Sequence, residues 1–227
     1  VMASHSPRED LFQKHYDEIV SLLEAFVNSV VVSGDYLSAE SSLIGYLIDM
    51  YSSVFLDEID YILDALGVDL APEELIEIRN GVNTSAFARS NYGRLKEILD
   101  AHASDLRAKL IDSIDTISFD DIVKEFSSNL ERLALSEVQM GIEKASVESA
   151  KLFELVTENS ILKTWNCIGD ANTCPTCLAM NGLTIPVTES FSSVAPSVGI
   201  VEQLSYTGGD IVYAHPRCRC WVTYSKA

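Results

Sequence analysis

Cysteine is absent from the first 166 residues and then occurs five times, at positions 167, 174, 177, 218 and 220. Four of these cysteines and one histidine form two groups. The first is Cys174-Pro-Thr-Cys177 and the second is His215-Pro-Arg-Cys218-Arg-Cys220, with 37 residues between them. A C-x2-C turn holds two thiolates close enough to share one small cation, and a pair from a remote segment completes a tetrahedron. An ion bound in this way closes the intervening chain into a loop, which limits the tail to folds that bring both groups together. Soft thiolates with one imidazole favour zinc over magnesium or calcium.

Five candidates (Cys174, Cys177, His215, Cys218 and Cys220) compete for four positions. On a regular strand Cys218 and Cys220 would share a face with Cα atoms about 6.6 Å apart, awkward for a single ion. The preferred set is therefore Cys174, Cys177, His215 and Cys218, with Cys220 competing for the fourth position. The expected cofactor is one structural Zn2+ per chain. Three thiolates and a neutral imidazole leave the centre anionic, and Arg217 and Arg219 flank Cys218 to offset that charge. Cys167, beside Trp165, reads as a buried thiol. The loop between the groups contains Pro186, Pro196, Gly199, Gly208 and Gly209 with few large apolar residues. Its own core is expected to be thin, and metal binding would supply folding free energy on the order of 10 kcal/mol.

Composition divides near the same place. Residues 1–160 hold 12 Lys/Arg against 30 Asp/Glu and residues 161–227 hold four of each, so the whole net charge of −18 lies in the first part. Two of the six prolines precede residue 160 and four follow it. The expected organisation is an acidic helical region over 1–160 ending in a long helix, then a small Cys/His zinc-binding module over 161–227.

Apolar residues in the first region recur at helical spacing. Leu11, Tyr16, Ile19, Leu23, Phe26, Val27 and Val30 mark a first helix that stops near Gly34. A second is predicted from Leu37 to Leu66, with Leu43, Leu47, Met50, Val54, Ile59 and Ile62 inward and Gly67 just past its end. Pro72 opens a third segment, Glu73 to about Ile114, which is expected to break at Gly81 or Gly93. Ser118 with Asp121 resembles a capping arrangement for a helix from Phe119 to Asn159, with an inward stripe that includes Ile122, Phe126, Leu130, Leu133, Val138, Ile142, Val147, Leu152 and Leu155. Segments 161–168 and 221–224 read as short strands. The fold class is mainly α, an elongated helical bundle with a small C-terminal zinc-stabilised α+β module. His5, His15 and His102 are expected at the surface or its boundary, since none has companions at metal-ligand spacing.

Several functions are disfavoured on physical grounds. A chain of net charge −18 repels phosphate, so specific nucleic-acid binding is not expected. No apolar run approaches the roughly 20 residues of a membrane span. Val1 ahead of Met2 suggests a fragment or a processed product, and Val1-Met2-Ala3-Ser4 lacks the regions of a signal peptide. Reduced cysteines are then expected rather than disulfides. A thioredoxin-type dithiol needs a βαβ setting that the preceding helices do not offer. A zinc deaminase needs a His/Cys-x-Glu element upstream of Pro-Cys-x-x-Cys, and there is none at suitable spacing. With five possible protein ligands the site reads as closed and structural, since a catalytic metal keeps a position open.

Taken in order, Gly141-Ile-Glu143-Lys, Lys163-Thr-Trp165, Asp170, Cys174-x-x-Cys177, Asn181-Gly182 and His215-Pro-x-Cys218-Arg-Cys220 resemble the C-terminal half of the phage Mu F-like head morphogenesis proteins. These are minor head proteins of tailed bacteriophages and prophages. The resemblance covers residues 137–224, and the helical first half is similar only in kind. It implies a non-enzymatic virion component that binds the portal and other head proteins during capsid assembly, with a possible part in DNA delivery. The implied location is the head interior or portal vertex, reached from the host cytoplasm. Many members have prolines directly before the histidine, where this chain reads Ile211-Val-Tyr-Ala214. The rival reading is a thiol- or zinc-dependent enzyme that uses Cys174 and Cys177, with the helices as an oligomerisation arm.

Overall fold

A computed structural model describes residues 9–81, 84–112, 118–194, 211–212 and 218–227. The chain is mainly α. Five helices come first: α1 (Glu9–Val32), α2 (Leu37–Leu66), α3 (Pro72–Gly81), α4 (Thr84–Asp112) and α5 (Phe119–Thr157). The tail then carries β1 (Ile161–Asn166), α6 (Pro175–Met180), β2 (Thr184–Pro186), α7 (Phe191–Val194) and β3 (Trp221–Lys226). No helix among the described residues is long and apolar enough to cross a membrane.

Local chemistry sets the helix ends. At the end of α2 the Val68 and Gly67 amides bond the Leu63 and Asp64 carbonyls, with Gly67 at φ 59°. This is the left-handed closure that glycine enters without a Cβ penalty. Pro72 sits at the first position of α3, and Glu74 reaches back to accept the Ala71 amide at 2.9 Å. The Ser118 hydroxyl accepts the Asp121 amide and donates to its carboxylate, capping α5. The segment expected to break at one of two glycines ends its first helix at Gly81, and Gly93 lies inside α4.

Two compact units are present, and α2 and α5 contribute to both. One comprises residues 12–52 and 84–138. Its core includes Ile19, Leu23, Phe26, Leu43, Leu47 and Leu99. Polar side chains are built into this core with partners. Glu137 is buried and accepts hydrogen bonds from the Tyr51 hydroxyl at 2.8 Å and from Arg94 at 2.6 Å. Burial first, then the Glu137 charge, raises the Tyr51 hydroxyl well above its ordinary pKa. His15 corrects the expectation of a surface histidine, because it is buried with its Nδ1 2.9 Å from the Tyr46 hydroxyl. His102 is half-buried as expected, and His5 lies outside the described residues.

The other unit comprises residues 1–11, 53–83 and 139–227. The change in composition near residue 160 therefore falls inside a compact unit. One apolar core joins Ile59 and Ile62 of α2, Ile78 of α3 and Phe153 of α5 to Trp165, Met180, Phe191 and Val222 of the tail. The loop after Cys177 is less thin than its composition suggested, since Met180, Ile185, Val187 and Phe191 are all buried in that core. Leu155, expected to face inward, is 75% exposed because the α5 stripe drifts off the core near its end.

The three-stranded sheet is antiparallel in the order β2-β1-β3. Trp165 pairs with Val222, and Thr164 pairs with both Thr184 and Thr223. β1 stops at Asn166, two residues before the expected end. Along β1 the side chains alternate, and Ile161, Lys163 and Trp165 are the buried set. Lys163 keeps its stem inside the fold with the ammonium 5.1 Å from the Phe191 ring centroid, and Trp165 meets the same ring edge-on at 5.2 Å.

Candidate metal centre

The two cysteine groups approach one another at the end of the sheet. Leaving β1, the chain turns through Cys167 to Asp170 and enters α6 with Cys174 as its N-cap. The Cys174 sulfur accepts the Cys177 amide at 3.3 Å, and Pro175 occupies the first turn. This knuckle directs Cys177 inward, where it is 2% exposed. From the other side residues 218–220 run irregularly into β3. Cys218 and Cys220 are both buried, while Arg219 between them faces outward.

Three sulfurs, those of Cys177, Cys218 and Cys220, all lie within 4.8 Å of one another. Cys177 Sγ and Cys218 Sγ are 3.8 Å apart. Zn–S bonds of about 2.3 Å in a tetrahedron place sulfurs about 3.8 Å apart, so this donor set fits such an ion. Cys220 therefore belongs with the cluster and is not merely a competitor for its last place. The expectation to the contrary assumed a regular strand, and β3 begins only at Trp221. Cys174 does not belong to this tight trio. It lines, with Cys167, Cys177, Arg219 and Cys220, an adjoining cleft with about 20 Å³ of free space, room for one water-sized atom. His215 and Arg217 lie outside the described residues. Cys167 is only half-buried at the mouth of this cleft, more exposed than its aromatic neighbour suggested.

As thiols Cys177 and Cys220 hold their protons tightly. Hydrogen bonding to Cys218, then to Cys220, then burial, drives the Cys177 pKa far up. For Cys220 the bond to Cys177 works downward, but the bond to Cys218 and burial outweigh it and the net shift is upward. The Cys218 thiol donates to the Val212 carbonyl at 3.3 Å. A divalent cation reverses this balance, since coordination deprotonates thiols outright. The indole N–H of Trp165 is buried without a hydrogen-bond partner, yet it is near enough to Cys220 to favour its thiolate. A metal-bound sulfur is an acceptor that this donor lacks.

Outer contacts tie the two groups together. Arg219 forms a two-pronged pair with Asp170, at 2.8 and 2.6 Å. The Asp170 Oδ1 also accepts the Asn172 amide and the Thr173 hydroxyl, which orders the turn leading into Cys174. Behind the cluster, Gln139 on α5 donates to the Cys220 carbonyl at 3.1 Å and to Glu143 at 3.1 Å. Glu143, fully buried, accepts the Val222 amide at 3.3 Å. The Asn181 side chain accepts the Cys167 amide, and Gly182, at φ 80°, donates to the Trp165 carbonyl at 2.7 Å. Sequence reasoning assigned no task to Gln139 or to the Asp170–Arg219 pair. The available signals were an arginine between two cysteines and an acidic residue shortly before the first knuckle.

Arg219, chiefly by its hydrogen bonds, holds the Asp170 carboxyl down at about 2. A folded pKa below the unfolded one stabilises the fold above the unfolded value, near 3.9, and the benefit disappears as pH falls from about 4 toward 2. Carboxyl-carbon NMR of the intact protein is expected to show Asp170 titrating near 2. In Arg219→Gln the midpoint should rise, with the Thr173 hydroxyl and the Asn172 amide still holding it below the ordinary carboxylate value. An unchanged midpoint in that variant would remove Arg219 as the cause.

No family model, no curated protein and no solved structure matches this chain.

Proposed function

We propose that this chain is a non-enzymatic minor head protein of a tailed bacteriophage, attached through its helices to the portal or another head component during assembly. Its tail is closed by one structural zinc. Cys177, Cys218 and Cys220 would supply three thiolates, with Cys174 or His215 as the fourth ligand. When bound, the ion supplies a cross-link between two remote segments. The location that follows is the head interior or portal vertex.

The observation that carries this reading is convergence. Several of the residues on which the resemblance rests, Glu143, Trp165, Asp170, Asn181, Gly182 and Arg219, lie beside the cysteines and act as holding groups. Glu143 pins the β3 amide, Trp165 packs under Cys220, and Asp170 clamps Arg219. Asn181 and Gly182 close the turn beside Cys167. Among the described residues that line the cysteine cleft there is no carboxylate or imidazole.

Elemental analysis and thiol titration of the purified protein, with fractionation of phage-infected cells, test the proposal. The expected result is about one zinc per chain with protected cysteines, recovery in proheads and virions, and capture by purified portal. A metal-free protein whose Cys174–Cys177 disulfide cycles with substrate turnover would overturn the zinc and the non-enzymatic parts. Absence from proheads and virions would overturn the assembly role.

A further inference from the structure

The unit formed by residues 12–52 and 84–138 brings four helix ends together. Arg107 of α4 donates to the Gly34 carbonyl in the α1–α2 turn, and its guanidinium lies 5.0 Å from the Tyr36 ring centroid. Two residues on, Lys109 pairs with Glu125 of α5 at 2.6 Å and lies over the Phe126 ring. These contacts place the end of α1, the start of α2, the end of α4 and the start of α5 at one tip. Each contributes a large exposed apolar side chain: Val32 at 84%, Leu37 at 60%, Ile111 at 76% and Phe119 at 51%. Isolated exposed apolar residues need no explanation, whereas four gathered at one end of a bundle offer a surface on which a partner could dock.

The charges around the tip select the occupant. Asp35, Asp112, Asp120 and Asp121 are all exposed there. Arg107 is engaged with the α1–α2 turn and Lys109 with Glu125, and the exposed Lys124 stands one turn beyond Asp120 and Asp121, so carboxylates outnumber cations at this end among the described residues. Asp112 ends α4, where the helix dipole disfavours a carboxylate, so a cation brought by a partner would relieve it. A second copy placed symmetrically would set this acidic rim against itself, and anionic lipid or nucleic acid would be repelled.

We infer that the four-helix tip carrying Val32, Leu37, Ile111 and Phe119 is the docking surface for a protein partner with an apolar depression edged by lysine or arginine. This rests on the assembly role proposed above, with the portal as that partner. The apolar side chains fill the depression, and the aspartates fix orientation and speed encounter.

The test uses the full chain, purified portal and titration at two salt concentrations. Val32→Ser combined with Ile111→Ser is expected to weaken portal binding at least about tenfold, the range of central interface anchors, with an unchanged circular dichroism spectrum and thermal midpoint. Asp112→Asn combined with Asp120→Asn should slow association and flatten its salt dependence. Wild-type portal affinity in the Val32/Ile111 variant would overturn the tip while leaving the assembly role standing. So would a wild-type dimer that the variant splits into monomers, or binding of phosphatidylglycerol vesicles that the variant abolishes. Failure of the wild-type chain to bind portal would overturn both.

Discussion

Cys177→Ser is expected to bring zinc content down from about one per chain to a small fraction of that, and to open the tail to proteolysis. Cys177 is the innermost ligand candidate, shared between the α6 knuckle and the Cys218–Cys220 turn. Metal binding in such sites supplies on the order of 10 kcal/mol of folding free energy, comparable to the whole stability of a domain. A serine hydroxyl is a poor replacement for a thiolate, and two buried thiols would remain with no cation to gather them. The loss of affinity should exceed the 10–100-fold typical of outer-contact changes. Unfolding should not stop at the tail, because Trp165, Met180 and Phe191 share their core with Ile62, Ile78 and Phe153. Most far-UV helical signal should survive in the unit that contains α1 and α4. Limited proteolysis with mass spectrometry locates the opened segments. Wild-type zinc content together with wild-type protease resistance would refute a metal-held tail.

Trp165→Ala should cost about 3–5 kcal/mol, the range for deleting a buried large aromatic side chain. Trp165 is completely buried on the central strand and meets Phe191 edge-on. A loss of that size approaches the total stability of a modest domain, so this variant is expected to be soluble only in part. Trp165→Phe separates two tasks of the residue. It keeps most of the ring contact but removes the indole N–H that favours the Cys220 thiolate. The expected outcome is a modest fall in thermal midpoint with zinc affinity weakened about 10–100-fold, as found for outer-contact donors. Competition with a calibrated chelator reads the affinity and calorimetry reads the stability. Equal loss in both would mean that Trp165 only fills space.

The long helices were legible because their signals are local. The α2 boundaries, the Pro72 start and the Ser118 cap each depend on residues within one or two turns. Of the short elements, β1 and β3 were legible in segments 161–168 and 221–224, and β2, α6 and α7 were not. β2 spans three residues of a loop rich in proline and glycine, and it is a strand only because β1 lies beside it. Buried charge was equally hidden. Nothing near Glu143 in the chain says that its carboxylate meets the Val222 amide, 79 residues away. The cysteine grouping pointed to the right segments, and spacing alone kept Cys220 as a competitor where its sulfur lies with those of Cys177 and Cys218. Its side chain turns inward because the backbone at 218–220 is irregular, and the Asp170 pairing draws Arg219 to the opposite side.

The order of the strands has a consequence during synthesis. β1 lies at the centre of the sheet, and its two neighbours are made at different times. β2 follows soon and can pair within microseconds of emerging, as hairpins do. The partner on the other side, β3, comes only after the 54 residues that separate it from β1. At roughly 5–20 residues per second, ribosomes leave that edge bare for about 3–11 s. Throughout that interval the unpaired backbone edge of β1, with Ile161 and Trp165 on its inner face, is open to stray pairing with neighbouring nascent chains. A cell making this protein in quantity thus faces its greatest risk of aggregation before the second group of sulfurs exists, and holding chaperones should raise its yield more than added zinc does.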